Sequence, residues 1–178
     1  ITIEATVRDA EARRHEYLTV EHILFAILHD EWGIDIITNC GADVEKLKSE
    51  LEDFFDKKVS KFPKDSEGYP EPTIAFRRVF QTALNHVRAS EKPEADAGDI
   101  LSAIFLEKES HAVHFLLLEG LTRLDVLNYI SHGISKEPLE EIPLEKESIP
   151  VKKQTFKKDP LTQFTIELVQ KAADGGID

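Results

Sequence analysis

Four histidines are the first residues in this sequence whose type and spacing suggest chemistry. They are His15, His22, His111 and His114. Imidazole nitrogens bind transition metals, and the last two histidines stand three positions apart on a predicted helix. His15-Glu16 begins a metalloprotease pattern, but Thr19 occupies the place of its second histidine. The spacing favours solvated or packed histidines, and we expect no metal site.

Two further chemical signatures are missing from the sequence. It contains no Gly-x-x-x-x-Gly-Lys-Ser/Thr loop, so we expect no P-loop nucleotide site in these 178 residues. Cys40 stands among apolar residues without a recognisable nucleophile partner, which favours a buried structural thiol over catalysis. The chain itself is therefore expected to have no catalytic residue and no cofactor.

The charge balance limits the kinds of partner. There are 34 acidic and 22 basic residues, which gives a formal net charge of -12. Because phosphate binding needs a basic surface, nucleic acid is disfavoured, whereas basic or mixed protein surfaces suit this balance. A single cysteine excludes an internal disulfide and fits the cytosol. No apolar run approaches the roughly 20 residues of a membrane helix, so we expect no membrane insertion.

Helical spacing of apolar residues predicts eight helices within the first 134 positions. The clearest is the run from 18 to 28, where Thr19 is the predicted N-cap. Predicted starts of other helices are Asp43, Ser110, and Thr122 or Asp125, and predicted glycine ends are Gly41, Gly120 and Gly133. The first helix is expected to end near His15. Residues 58–73, rich in proline and charge, are expected to form an exposed connecting loop.

The helical pattern occurs twice. Ile3, Val7, Ala10 and Ile23 recur 77 positions later as Phe80, Leu84, Val87 and Ile100. The interval from Ile23 to Gly41 is two residues shorter than that from Ile100 to Gly120, so the second copy has a slightly longer loop. The prediction is an all-α domain of two pseudo-twofold-related four-helix repeats. A chance likeness between amphipathic helices is the alternative.

The composition changes after Gly133. Residues 135–160 contain scattered prolines and charges but few apolar residues, which predicts a flexible linker. Residues 161–178 regain a helical pattern but are too few to fold alone, so they are expected to open a further domain. We therefore divide the chain into 1–134, 135–160 and 161–178.

Three stretches resemble the N-terminal double-repeat domain of the Clp unfoldases, and its ClpA branch in particular. They run from Arg14 to Leu24, from Pro72 to Val79 and from Leu124 to Gly133. The segment from Leu161 to Asp178, which ends Gly-Gly-Ile-Asp, is similar to the entry into that family's first AAA+ ATPase module. The resemblance covers nearly the whole chain apart from the acidic linker.

The resemblance implies a mobile receptor domain of a cytoplasmic, ATP-driven ring that unfolds protein substrates and feeds them to the ClpP peptidase. In the ClpA branch, this domain docks the adaptor ClpS. ATP and magnesium would belong to ATPase modules outside these residues, so this chain is not expected to be an enzyme. The parent protein is expected to be a hexamer and the isolated domain a monomer. The alternative is a ClpB-like chaperone domain that binds unfolded or aggregated polypeptide directly.

When the family's adaptor contacts are transferred to the matching positions of this sequence, the resemblance implies an adaptor-binding surface. Its residues are Glu16, Glu21, Thr73 and Arg78. Taken singly, Glu21 and Thr73 are equally well explained as helix starters. The related ClpC domain reads phosphoarginine through one acidic residue in each repeat, but here Gly98 stands at the second place with Asp99 beside it. A symmetric pair of anionic pockets is therefore not expected, which favours adaptor docking.

Overall fold

The computed structural model describes residues 3–66, 68–90 and 92–136, which contain eight helices and one small parallel sheet. The elements in order are α1 Ile3–Ala12, β1 Tyr17–Leu18, α2 Val20–Ile27, α3 Glu31–Asn39, α4 Val44–Lys58, β2 Glu71–Pro72, α5 Ile74–Ala89, α6 Ala97–Ile104, α7 His111–Leu118 and α8 Arg123–His132. The all-α prediction is confirmed. The linker and the start of an ATPase module, predicted from the sequence, lie outside the described residues except for Ser135 and Lys136.

Side chains cap α4, α7 and α8 at helix starts that the sequence predicts. The Asp43 carboxylate accepts hydrogen bonds from the amides of Glu45 and Lys46 at 2.9 and 3.1 Å. The Ser110 hydroxyl accepts one from the amide of Val113. Thr122, rather than Asp125, is the N-cap of α8. These contacts satisfy amides that have no partner inside their own helices.

The predicted glycine ends have the left-handed backbone that glycine tolerates best. The φ angles of Gly41, Gly120 and Gly133 are 85°, 72° and 65°. Gly41 and Gly120 follow the C-caps of α3 and α7, which are corresponding helices of the two repeats. The same turn therefore ends the third helix of each unit.

One core serves all the helices. Its largest fully buried side chains are Phe55, Ile23, Leu24, Ile27, Leu28, Ile36, Ile37, Leu47, Leu51, Leu101, Ile104 and Leu116. Helices α2 and α6 are buried along nearly their whole length, and α5 packs on α6 as α1 packs on α2. Two buried apolar helices thus lie at the centre, one from each repeat.

The end of the first helix differs from the prediction. α1 stops at Ala12, three residues before His15. Arg14 then has a φ of 60°, which turns the chain, and His15 forms an isolated antiparallel bridge with Lys61. Polar residues at 13–16 continue a helical spacing, but the left-handed turn at Arg14 breaks the helix.

The segment 58–73 is held more tightly than a free connecting loop. The amide of Glu16 donates to the carbonyl of Ser60 at 2.9 Å, and the amide of Phe62 donates to the carbonyl of Arg14 at 2.8 Å. The Arg14 guanidinium contacts the carbonyls of Pro63 and Ser66. Most of the segment is exposed, as the prediction of an exposed connecting loop requires, but α4 extends to Lys58 and β2 occupies Glu71–Pro72 within it.

No helix in the part of the chain that the structure describes is long and apolar enough to cross a membrane.

Candidate functional site

A two-stranded parallel sheet brings the predicted adaptor-binding segments together. β1 pairs with β2 so that Tyr17 lies opposite Glu71 and Leu18 opposite Pro72. The amide of Glu71 donates to the carbonyl of Glu16, and the amide of Thr73 donates to that of Leu18, at 2.9 and 3.0 Å. Glu16 and Thr73 therefore lie at opposite ends of one short hydrogen-bonded ladder.

Thr73 fixes the start of α5 against this sheet. Its hydroxyl accepts a hydrogen bond from the amide of Phe76 at 3.2 Å and donates one to the carbonyl of Leu18 at 3.0 Å. The helix-starter interpretation of Thr73 is thus supported, and the residue is also half-buried at the surface. A large side chain at Thr73 would disturb both the helix start and any partner seated there.

Arg78 lies one turn further along α5 and is held by Glu107. Its Nε and a terminal nitrogen donate to the two oxygens of that carboxylate at 2.6 and 2.5 Å. The Glu107 side chain is 9% exposed and that of Arg78 is 61% exposed. This bidentate pair raises the pKa of Arg78 and presents a fixed positive charge at the surface. Glu107 is a residue that sequence reasoning missed, because no local spacing links it to α5.

Glu16 borders a cleft of about 450 Å³ beside the sheet. The other lining residues are Tyr17, Phe62, Gly68, Tyr69 and Glu71. Tyr69 is 84% exposed and Tyr17 is 46% exposed. The surface near Glu16 therefore combines carboxylates with exposed aromatic rings, which suits a partner that carries basic groups. No local sequence pattern marks the two tyrosines, because Tyr17 and Tyr69 line the same cleft only in the folded chain.

Glu21 is separated from the other three residues by its burial. It is 5% exposed, and its Oε1 accepts a hydrogen bond from the amide of Ala112 at 3.2 Å. Ala112 belongs to the first turn of α7, so this carboxylate lies at the N-terminus of a helix in the other repeat. This geometry supports a structural contact between the repeats rather than a surface contact. Adaptor contact by the set of four stays a prediction.

The second repeat has no acidic side chain at the position equivalent to Glu21. A Cβ added to Gly98 would lie 2.8 Å from Ile130 Cγ2 and 3.3 Å from Ile36 Cδ1, so packing there requires glycine. The carboxylate of Asp99 is fully buried and pairs with Lys92 at 3.1 Å and His86 at 3.1 Å. Neither repeat therefore presents an open acidic pocket at this place.

His15 and His22 are buried against each other. His15 Nδ1 lies 2.8 Å from His22 Nε2, and His22 Nδ1 accepts a hydrogen bond from the amide of Thr19 at 3.1 Å. His22 Nε2–H must then donate to His15, which leaves His15 Nε2–H without a partner among the described residues. Burial, followed by nearby positive charge, lowers the pKa of His15 to about 4 and that of His22 to about 3.

The other residues considered as metal ligands or as a nucleophile are not grouped into a site among the described residues. His111 and His114 are exposed on α7, and no group of three or more His, Cys, Asp or Glu side chains in residues 3–66, 68–90 and 92–136 is arranged to hold a metal ion. Cys40 is 1% exposed, and burial raises the pKa of its thiol to about 11. A thiol that is protonated at neutral pH and shielded from solvent is a poor nucleophile.

Comparison with known proteins identifies related domains. Residues 1–118 match the model of a family described as the Clp repeat (R) N-terminal domain. A relative described as a ClpA homolog protein, from Fuscovulum blasticum, is 36% identical over 184 aligned residues. That alignment covers 99% of this chain and 23% of the relative, so the chain spans about a quarter of the relative's length.

Solved structures share the fold at low sequence identity. The Hsp104 N-terminal domain from Candida albicans has a TM-score of 0.58 at 13% identity, covering 70% of this chain and 80% of that one. A complex of the ClpV N-domain with a VipB peptide has a TM-score of 0.57 at 19% identity, covering 76% and 85%. At such identities, the likeness shows the helical fold alone.

Proposed function

The chain belongs to the family of Clp repeat N-terminal domains, and we propose that it serves as the adaptor- and substrate-receptor domain of an ATP-dependent unfoldase. Its adaptor would be of the ClpS type. The observation that carries the proposal is the surface made by Glu16, Thr73 and Arg78, where the β1–β2 ladder and the first turns of α5 meet.

The composition of this surface suits a polar docking site. Arg78 supplies a positive charge held in place by Glu107, while Glu16 supplies a negative charge on the other side of the ladder. A rim with both charge signs fixes the orientation of a partner and excludes partners with the wrong pattern. The similarity to a ClpA homolog supports the choice of a ClpS-type adaptor. The VipB peptide bound to the ClpV N-domain supports the more general role of a protein receptor.

The proposal extends to the parent protein. In it, the domain would be joined to AAA+ modules that bind ATP and magnesium, assemble as a hexamer and pass unfolded chains to ClpP in the cytoplasm. The present chain would bind partners without catalysing a reaction, since its sequence has no P-loop. A receptor joined to the ring by a tether would raise the local concentration of substrate at the ring.

Calorimetric titration with a ClpS-type adaptor tests the proposal. We expect saturable binding to the unsubstituted chain, called the parent chain in these experiments. The affinity of the Glu16→Lys, Arg78→Glu double variant should be at least tenfold weaker, because both rim charges are reversed. Leu124→Asn is the matched control, since Leu124 is 64% exposed on α8. Absence of binding by a folded parent chain, or equal affinity for all three proteins, would contradict the proposal.

Direct binding of unfolded polypeptide is the second candidate function. It is favoured by two exposed apolar side chains on either side of β2 in the sequence, Ile74 at 78% in the first turn of α5 and Tyr69 at 84%. Apolar side chains exposed together are typical of surfaces that bind other chains. An unfolded, non-cleavable protein should then bind without any adaptor, and Ile74→Ser should weaken that binding. If adaptor binding alone is observed, this candidate fails.

A further inference from the structure

Helix α7 is apolar on the side that faces solvent as well as on the side that faces the core. Ala112, Val113 and Leu116 are buried, as expected for a core helix. Leu117 and Leu118, however, are 53% and 61% exposed. An amphipathic surface helix normally has polar residues there, so the exposed leucines need an explanation other than packing within the domain.

The internal repeat shows that the fold does not require these leucines. α7 and α3 are corresponding helices of the two repeats and can be aligned at their C-caps, Glu119 and Cys40. In this alignment, Leu117 corresponds to Thr38 and Leu118 corresponds to Asn39. α3 is stable with two polar residues in the same place. The apolar outer face of α7 is therefore a property of this one helix and not of the repeat.

The exposed face of α7 continues into a groove beside α4. The groove has a volume of about 340 Å³, and its floor is made by Phe54, His111 and Phe115. The ring centroids of Phe54 and His111 are 4.6 Å apart, and those of Phe54 and Phe115 are 6.0 Å apart. His111, Phe115 and Leu118 follow one another at i, i+4 and i+7, so they form one stripe along α7. We call the surface formed by this groove and this stripe the α4–α7 groove.

The charged residues of α4 differ in sign between the two ends of the α4–α7 groove. Glu50 and Asp53 border one end, and Lys57 and Lys58 border the other, next to the C-terminus of α4. Asp53 and Lys57 pair at 2.7 Å, but both are more than half exposed, so water and salt weaken this pair. The α4–α7 groove therefore has an acidic end and a basic end.

We propose that the α4–α7 groove docks an amphipathic helix of a partner protein. The helix would place apolar side chains at i, i+4 and i+7 on the aromatic floor. Its acidic N-terminal turn would lie near Lys57 and Lys58, and its basic C-terminal turn near Glu50 and Asp53. This order also agrees with the dipole of the bound helix, which favours acids at the N-terminus and bases at the C-terminus. The partner helix therefore runs antiparallel to α4, in the helix-in-groove mode of recognition.

The test uses the full chain and a synthetic fluorescent peptide with acids in its first turn, lysines in its last turn, and leucines at i, i+4 and i+7. We expect saturable binding by fluorescence anisotropy with a Kd below about 100 μM, the range of weak single-helix contacts. The Leu118→Asn variant carries the residue that the other repeat has at the corresponding place, Asn39, so it should fold normally and bind at least tenfold more weakly. Leu124→Asn is the control and should bind like the parent chain.

A charge exchange tests the direction of binding. Asp53→Lys with Lys57→Asp keeps the ion pair and the net charge but reverses their order along the groove, so peptide affinity should fall severalfold. No binding of the peptide up to millimolar concentration, or equal affinity for the parent and both groove variants, would overturn the proposal. So would sedimentation showing that the leucines hold two copies of the chain together. The Glu16→Lys, Arg78→Glu variant should bind the peptide normally, so failure of adaptor docking would leave this result intact.

Discussion

At the residue scale, several polar side chains whose types suggest metal binding or catalysis instead stabilise the folded domain. His15 and His22 form a neutral buried pair. The ring centroid of Phe55 lies 5.5 Å from that of His15 and 4.6 Å from that of His22. At the corresponding positions, 77 residues later, Lys92 and Asp99 form an ion pair at 3.1 Å. The two repeats thus use different chemistry for the same contact. The sequence identified the histidines as candidates, but their hydrogen bond to each other depends on the turn at Arg14, which spacing does not reveal.

The histidine pair predicts loss of stability in mild acid. The pKa of each histidine is near 6.5 in the unfolded chain and falls to about 4 or about 3 in the folded one. Below pH 6.5 the unfolded state therefore binds protons that the folded state does not, and stability falls as the pH approaches 4. At pH 5 the loss should be about 2 kcal/mol for each histidine.

Urea unfolding at pH 7.5 and pH 5 measures this effect. The His111→Gln, His114→Gln variant provides the control, because these exposed histidines should leave the difference unchanged. Equal unfolding free energies of the parent chain at the two pH values would show that the pair is not neutral and buried.

Glu21 makes a second prediction at this scale. Its carboxylate lies at the N-terminus of α7, so Glu21→Ala should lower the free energy of unfolding by about 1–2 kcal/mol. Glu21→Gln retains the hydrogen-bond acceptor and should lose less. Adaptor affinity of the folded Glu21→Ala protein should equal that of the parent, as titration at a temperature well below unfolding would show. A large loss of affinity without a loss of stability would instead place Glu21 in the docking surface.

At the element scale, helix positions were predictable and their connections were not. Thr19, Asp43 and Ser110 stand at helix starts, because short polar side chains at N-caps are a local signal. The β1–β2 sheet joins segments more than 50 residues apart, and each strand has two residues. No periodicity can develop over two residues, so the element that unites the candidate site had no sequence signature.

Gly33 tests the close approach between α2 and α3. A Cβ at this position would lie 2.3 Å from the carbonyl oxygen of Ile27 and 2.7 Å from its Cγ2. Gly33→Ala should therefore lower the free energy of unfolding by about 2–3 kcal/mol, because the two helices must move apart. Gly120→Ala is the comparison: its Cβ would meet open space, but its φ of 72° costs about 1 kcal/mol. Thermal unfolding that ranks Gly120→Ala as the more damaging change would contradict this packing.

At the scale of the whole molecule, two repeats of one pattern have diverged on their surfaces. The core helices, α2 and α6, are buried in both copies. The outer faces differ, since Leu117 and Leu118 stand where the first repeat has Thr38 and Asn39. One buried position differs as well, because Gly98 stands where the first repeat has Glu21. Fold class and repeat were predictable because buried positions keep helical spacing. The docking surfaces were not, since they depend on which exposed side chains the folded chain brings together.

Hydrogen exchange of the chain with and without a ClpS-type adaptor tests the receptor role most directly. Amides of residues 14–18 and 71–78 should exchange more slowly in the complex, because the β1–β2 ladder and the start of α5 would be covered. Amides at the exposed end of α7 should be unaffected and serve as an internal reference. Unchanged exchange throughout at saturating adaptor, or protection confined to helices away from this ladder, would contradict adaptor docking at the proposed surface.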